Sequence, residues 1–269
     1  MIKITDKDLS SLDLYFKPLG IDVASLKKSH LRRRICMRLM RTGNKIVPDY
    51  IKYLTSNEEE QRELHLAFSI NVTRFFRDIK VFEYIQTVLL REIQRNNPEN
   101  LVKIWSAGCA DGAEPYTLAI LCTQLRLTHS NIKILATDFN NDSLNVAKKG
   151  IFPVSYLSET FPKFKVKYFI NKNPDCVQVS SQLKELIEFK FNNLTNDNEY
   201  TPGSIFDLIV CRNVLIYFSN AQKEKLLKKF YKALKPEGFL VLGMAEILPI
   251  KYRDKFIIYN AVNRIYRKH

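Results

Sequence analysis

No apolar stretch of this 269-residue chain approaches the roughly 20 residues that a membrane-spanning helix requires; charge interrupts each one. The opening segment MIKITDKDLSSLDLYF carries Asp6, Asp8 and Asp13 where a secretory signal would be uniformly apolar. A cytoplasmic protein without membrane insertion is expected. The cysteines at 36, 109, 122, 176 and 211 are odd in number and form no C-x-x-C pair, which argues against a disulfide frame and for reduced thiols. The histidines at 30, 65, 129 and 269 are isolated, and no metal site is expected without ligand spacing. Repeats and low-complexity tracts are missing too. Acid is the scarce charge: 28 acidic residues face 42 basic ones, a net charge of +14. Such a field favours encounter with nucleic acid, anionic lipid or an acidic protein surface. Composition alone points to nucleic acid.

What is present falls into two regions with different grammar. Residues 1 to about 75 contain no strand-like run and read as a small helical domain. Helices are predicted around Leu9–Phe16, from Leu26 to Arg41, around Asp49–Leu54 and from Glu58 to Ser69, with Thr42-Gly43-Asn44 as a C-terminal cap. Residues 76–269 read as an α/β domain. A helical stretch at 81–95 and the turn NNPEN lead to the strand LVKIWSA; a helix at about 114–127 precedes the strand IKILATD, and another helix opens near Asp142. Further on come FDLIVC, the helix AQKEKLLKKFYKALK, a turn at Pro236-Glu237-Gly238 and the strand FLVLGMAE. Short apolar strands alternating with helices predict a mostly parallel, Rossmann-like sheet covered on both faces. Ligands of such sheets bind beyond the carboxyl ends of the strands. Within this region about 164–192 reads as an inserted antiparallel β subdomain, its runs KVKYFI and CVQV flanking a hairpin turn at Asn171–Asp175.

The first strand is followed by Ser106-Ala107-Gly108-Cys109-Ala110-Asp111-Gly112-Ala113-Glu114-Pro115-Tyr116. Small residues there let backbone N–H groups approach a ligand, and Pro115 suits a first helical turn. The loop is not G-x-G-x-x-G, so a dinucleotide pyrophosphate fits poorly. Asp138 closes the second strand, where a carboxylate can accept from both hydroxyls of a ribose. Loop and acid together point to S-adenosylmethionine, with Glu114 as partner to its amino end or as a supporting group.

Four segments then match one family in order and spacing: Asn71-Val72-Thr73-Arg74-Phe75-Phe76-Arg77-Asp78, SAGCADGAEPYTLA, ATDFNNDSL, and Cys211-Arg212-Asn213-Val214-Leu215-Ile216-Tyr217-Phe218. The chain resembles the CheR family of chemotaxis receptor glutamate O-methyltransferases over nearly its whole length. The resemblance implies a class I S-adenosylmethionine-dependent methyltransferase fold, and S-adenosylhomocysteine as product. It implies cofactor contacts from Asn71, Thr73, Arg77, Gly108, Glu114, Asp138, Asn193, Leu194, Arg212 and Asn213. Arg77 suits a carboxylate through its planar guanidinium. Arg212 and Tyr217 are expected to orient the acceptor. A glutamate is already ionised at neutral pH, so transfer needs no general base, only alignment of oxygen, methyl carbon and sulfur. Two positions depart from the family pattern: Ala113 replaces the first of two acids, and Gly243-Met244-Ala245-Glu246 lacks a serine.

In HLRRRICMRLMR, Arg34, Arg38 and Arg41 fall at i, i+4 and i+7 and predict a basic docking stripe. By the resemblance its partner is the glutamate-bearing helices of a methyl-accepting chemotaxis receptor, attracted by charge, which accounts for the +14 without nucleic acid. In some members the β insertion grips a peptide at the receptor C-terminus; the short, glycine-free connection across Asn171–Asp175 predicts independence from it. A monomer is expected. A nucleic-acid methyltransferase and a non-catalytic member that binds cofactor or receptor are the competing readings.

Overall fold

The computed structural model describes residues 4–16, 23, 27–68, 73–96, 101–128, 130–195 and 203–269. The chain divides into two compact units, residues 1–71 with 216–225, and residues 72–215 with 226–269.

The first unit is helical. Helix α1 (Asp6–Ser11) opens on a reciprocal cap, in which the Thr5 hydroxyl accepts from the Asp8 N–H and the Asp8 carboxylate accepts from the Thr5 N–H. Leu12 separates it from α2 (Asp13–Phe16), so the single helix expected there is broken in two. Helix α3 (Lys28–Thr42) ends at Gly43, whose φ of 74° is left-handed. Helix α4 (Val47–Ser56) starts with Pro48 in its first turn, and α5 (Glu58–Phe68) with three glutamates in its own. Leu9, Leu12, Phe16, Leu31, Ile35, Leu39, Tyr50 and Leu54 are buried.

The basic stripe is not on the surface. Arg34 and Arg38 are each 6% exposed and share the inward face of α3 with Leu31, Ile35 and Leu39. Arg38 binds Glu60 through Nε at 2.9 Å and through its terminal nitrogen, and reaches Glu63 at 3.0 Å; the Tyr50 hydroxyl donates to Glu60 at 2.5 Å. The Arg34 guanidinium covers the Tyr217 ring at 4.7 Å. Of the three arginines expected to dock a partner only Arg41 is exposed, and it shares the outer face of α3 with Arg33, Met37 and Met40.

The second unit is built on a seven-stranded sheet. Its strands are β1 (Val102–Ala107), β2 (Ile132–Asp138), β6 (Ile187–Phe191), β7 (Phe206–Cys211), β8 (Leu234–Leu242), β9 (Phe256–Asn260) and β10 (Ile265–Lys268), in the order β6-β2-β1-β7-β8-β10-β9. The first five run parallel, and β10 is antiparallel to both β8 and β9. Their near-continuous burial is what a sheet covered on both faces demands: β7 is buried at every position. The covering helices are α6 (Ile79–Tyr84), continued by a π-helical turn over Ile85–Leu89 into α7 (Leu90–Asn96), then α8 (Ala113–Gln124), α9 (Asn141–Lys149) and, from Leu226 on, α12 (Asn220–Ala233). Helices α8 and α9 pack on β2 and β6. The strand order reverses between β1 and β7, so the segments after these strands flank the crevice where such sheets bind ligands.

The insertion is larger at its start and shorter at its end than its alternating residues suggest. A separate sheet joins β3 (Ile151–Pro153), β4 (Phe169–Asn171) and β5 (Cys176–Val179) in the order β3-β5-β4. Most of KVKYFI belongs to helix α10 (Pro162–Tyr168), because Phe161, Phe164 and Tyr168 form an apolar stripe at helical spacing and Pro162 sits in the first turn. A short α11 (Ser181–Lys184) follows, and IEFKF then leaves the insertion to pair with β2 as β6, Ile134 against Ile187.

Candidate active site

The loop after β1 is fixed by its neighbours before any ligand is considered. The N–H groups of Gly108 and Cys109 both donate to the Thr137 carbonyl, at 2.8 and 2.9 Å. Gly108 has φ of 81°, and a Cβ there would lie 2.5 Å from a methyl of Val214. Only glycine lets the loop pass this close to the segment after β7. Burial pushes the Cys109 thiol pKa up, which leaves it inert as a nucleophile.

Asp138 ends β2 as expected, 7% exposed. Its Oδ2 accepts from the Ala110 N–H at 2.8 Å and its Oδ1 from the Asn140 N–H at 2.9 Å. These bonds hold the carboxylate still while burial pushes its pKa up. The Asp138 carbonyl receives the Asn192 N–H at 3.0 Å, which brings Asn193 and Leu194 to the end of β2. Asn193 Oδ1 accepts from the Thr195 N–H and hydroxyl, and Leu194 is buried.

Glu114, in the first turn of α8, accepts from the Ser106 hydroxyl at 2.8 Å and lies 3.8 Å from the Arg212 guanidinium. Burial pushes its pKa up, and Arg212 and Arg77 oppose that push. Arg212 follows β7 with its side chain only 2% exposed. One terminal nitrogen contacts Asp78, the guanidinium stands 5.1 Å from the Phe82 ring centre, and Nε is buried without a hydrogen-bond partner among the described residues. Asn213 has φ of 60°, and its N–H donates to Glu246 at 3.1 Å. Glu246 also receives the Gly243 N–H at 2.6 Å, so this buried acid ties the end of β8 to the turn that carries Arg212.

The segment before α6 is anchored by aromatics. Phe75 makes edge-to-face contacts with Phe152 and Phe169, and the Phe76 N–H donates to the Thr117 hydroxyl at 3.1 Å. Thr73 and Arg77 are half-buried on either side of this anchor. Asn71 lies outside the described residues. Tyr217 belongs to the helical unit, on a single turn over Leu215–Tyr217. Two groups carried no role in the sequence. Asp78 holds Arg212, and its signal was its place in the Phe-Phe-Arg-Asp run; Glu246 holds two N–H groups, in the segment that departs from the family pattern.

Sheet order, a glycine-tight loop after the first strand and an acid at the end of the second define a class I S-adenosylmethionine-dependent methyltransferase. The comparisons carry this to a family. Residues 71–265 match the model described as "CheR methyltransferase, SAM binding domain", and residues 12–69 match "CheR methyltransferase, all-alpha domain". The chain belongs to the CheR methyltransferase family. It is 33% identical to a chemotaxis protein methyltransferase of Borreliella burgdorferi, an alignment that covers 92% of this chain and 90% of that protein. It is 31% identical to chemotaxis protein methyltransferase 2 of Vibrio cholerae, over 91% and 87% of the two chains. The chemotaxis protein methyltransferase of Salmonella typhimurium is also 31% identical, over 87% and 81%. The cofactor is S-adenosylmethionine, and the donor set suits it. A buried carboxylate at the second strand matches a ribose, and the buried acids Glu114 and Asp138 near the loop match a ligand bearing positive charge.

Proposed function

We propose that this enzyme methylates glutamate side chains on the cytoplasmic helices of methyl-accepting chemotaxis receptors. S-adenosylmethionine supplies an activated methyl group on a sulfonium. The observation that carries the reading is Arg212: a buried guanidinium at the crevice with Nε unpartnered, suited to hold a carboxylate in place through charge-assisted bonds. An ionised acceptor needs no base, and alignment supplies the rate. Burial pushes the Cys211 thiol pKa up as it does that of Cys109, so neither buried thiol competes as a nucleophile. Tyr217 is proposed as the second orienting group. Asn71, Thr73, Arg77, Asn193, Leu194, Arg212 and Asn213 are proposed to contact the cofactor, with Gly108, Glu114 and Asp138.

Receptor docking is assigned to the outer face of α3, where Arg33 and Arg41 flank Met37 and Met40. Cations around exposed apolar side chains suit a helix that carries glutamates. The β4–β5 connection supports independence from a receptor C-terminal peptide. It is a tight turn in which Asn173 Oδ1 accepts from the N–H groups of Asp175 and Cys176, at 3.0 and 2.8 Å. Micromolar binding of an isolated receptor C-terminal pentapeptide in calorimetry would overturn that independence.

The activity test offers tritiated S-adenosylmethionine with receptor cytoplasmic domains or with RNA. Base-labile label on the receptor is expected. Label on RNA, or cofactor binding without transfer, would overturn the assignment.

A further inference from the structure

One buried acid beside the cofactor loop has no part in the account above. Asp111 sits between Gly108 and Glu114 and is only 6% exposed. Its Oδ2 accepts from the Tyr156 hydroxyl at 2.9 Å, and its Oδ1 is buried with no hydrogen-bond partner among the described residues. Tyr156 lies on the single helical turn over Val154–Leu157 that follows β3, so the partner comes from the insertion. The same residue reaches a second part of the site: its carbonyl accepts from the Phe75 N–H at 3.1 Å. Around it Phe152 meets the Phe75 ring edge-on at 5.0 Å and lies against the Tyr156 ring at 5.9 Å, while Arg74 stands 3.6 Å from Glu159.

We propose that Tyr156 is a positioning residue through which the inserted subdomain sets cofactor affinity, its hydroxyl holding Asp111 in the cofactor loop and its carbonyl holding the segment between Thr73 and Asp78. The inference rests on S-adenosylmethionine as the cofactor, not on glutamate as the acceptor. A buried carboxylate with an open lone-pair position favours a cation beside it, and both S-adenosylmethionine and S-adenosylhomocysteine carry an ammonium group.

The coupling has a signature in pH. The groups facing Asp111 are Tyr156 from the turn after β3, Asp138 from the end of β2, and Cys109 from its own loop. Burial pushes the Asp111 pKa up to about 6, Asp138 adds to the rise, and the Tyr156 hydroxyl and nearby N–H groups oppose it. A cationic ligand prefers the ionised form, so cofactor affinity should rise as pH climbs through about 6, with proton release on binding. Removing the Tyr156 hydroxyl takes away a bond to the carboxylate and should move that midpoint to higher pH.

The test is titration calorimetry of S-adenosylhomocysteine between about pH 5 and pH 8, on the full chain, with thermal melts to verify folding. Tyr156→Phe keeps the ring packing, and it should weaken binding at pH 7 roughly threefold to tenfold and shift the midpoint upward. Asp111→Asn keeps an oxygen for Tyr156 and should flatten the pH dependence. A folded Tyr156→Phe variant with wild-type affinity and midpoint would overturn the coupling. Failure of the wild type to bind S-adenosylhomocysteine would overturn the cofactor assignment and this inference with it.

Discussion

Arg212 and Asp111 are both buried charges, and they lead to opposite expectations when neutralised. Arg212 contacts Asp78 and lies near Glu114, and its proposed role is to hold the acceptor. Arg212→Ala should lower transfer by at least about a hundredfold, a loss of roughly 3 kcal/mol of transition-state stabilisation. S-adenosylhomocysteine binding should change far less, because Asp138 and the loop backbone do not depend on Arg212. Turnover assays paired with calorimetry check this, and unchanged turnover would remove Arg212 from the chemistry. Asp111 instead costs stability where it is ionised. With its folded-state pKa raised from 3.8 to about 6, the native chain keeps a proton that the unfolded chain has lost across that interval. Stability therefore falls as pH rises through the interval and stays lower above it. Asp111→Asn should raise stability at pH 8 by up to about 3 kcal/mol and by less at pH 5. Urea denaturation at the two pH values decides it, and an equal gain at both would contradict the assigned ionisation.

At the scale of elements, α3 shows how charge misleads when read along one helix. The spacing of Arg34, Arg38 and Arg41 is a solvent stripe by local rules. The partners that draw two of them inside, Glu60 and Tyr217, lie far along the chain and leave no local mark. Breaking a buried pair leaves an uncompensated charge, so Arg38→Met should destabilise the helical unit by about 3–5 kcal/mol, while Arg38→Met with Glu60→Leu should recover most of the loss. Circular dichroism during urea unfolding would show it; a cost under about 1 kcal/mol would mean that Arg38 is not structural. The strands β1, β2 and β7 were readable because they are short, mostly apolar runs bounded by turn residues, whereas β8 begins at Leu234 and takes in Pro236-Glu237-Gly238, which local rules read as a turn. The insertion was less readable. Lys-Val-Lys-Tyr alternates like a strand, yet Phe161, Phe164 and Tyr168 share one helical face, and two periods fit the same short stretch. In the site, Gly108 and Asp138 were readable from their place after strands. Asp78 with Arg212 and Asp111 with Tyr156 were not, since they pair across 134 and 45 positions.

For the whole molecule the excess of positive charge makes encounter and chemistry separable. Exposed cations act at long range and are screened within a Debye length of about 10 Å at 0.1 M salt, whereas the cofactor loop is buried. Raising ionic strength from about 50 to about 500 mM should slow association with receptor domains about tenfold or more and leave S-adenosylhomocysteine affinity within about twofold. Stopped-flow association and calorimetry in the same buffers make the comparison, and equal sensitivity of both would argue against docking through surface charge. A different consequence follows from the helical unit's being made of two pieces of chain. Residues 216–225 belong to it together with residues 1–71, and the Lys27 N–H donates to the Tyr217 carbonyl at 2.8 Å. On the ribosome, the segment that comes out first must wait while most of the sheet is synthesised before its last piece arrives, at about 5–20 residues per second. The helical unit begins the chain but cannot complete its fold until residue 225 has been made.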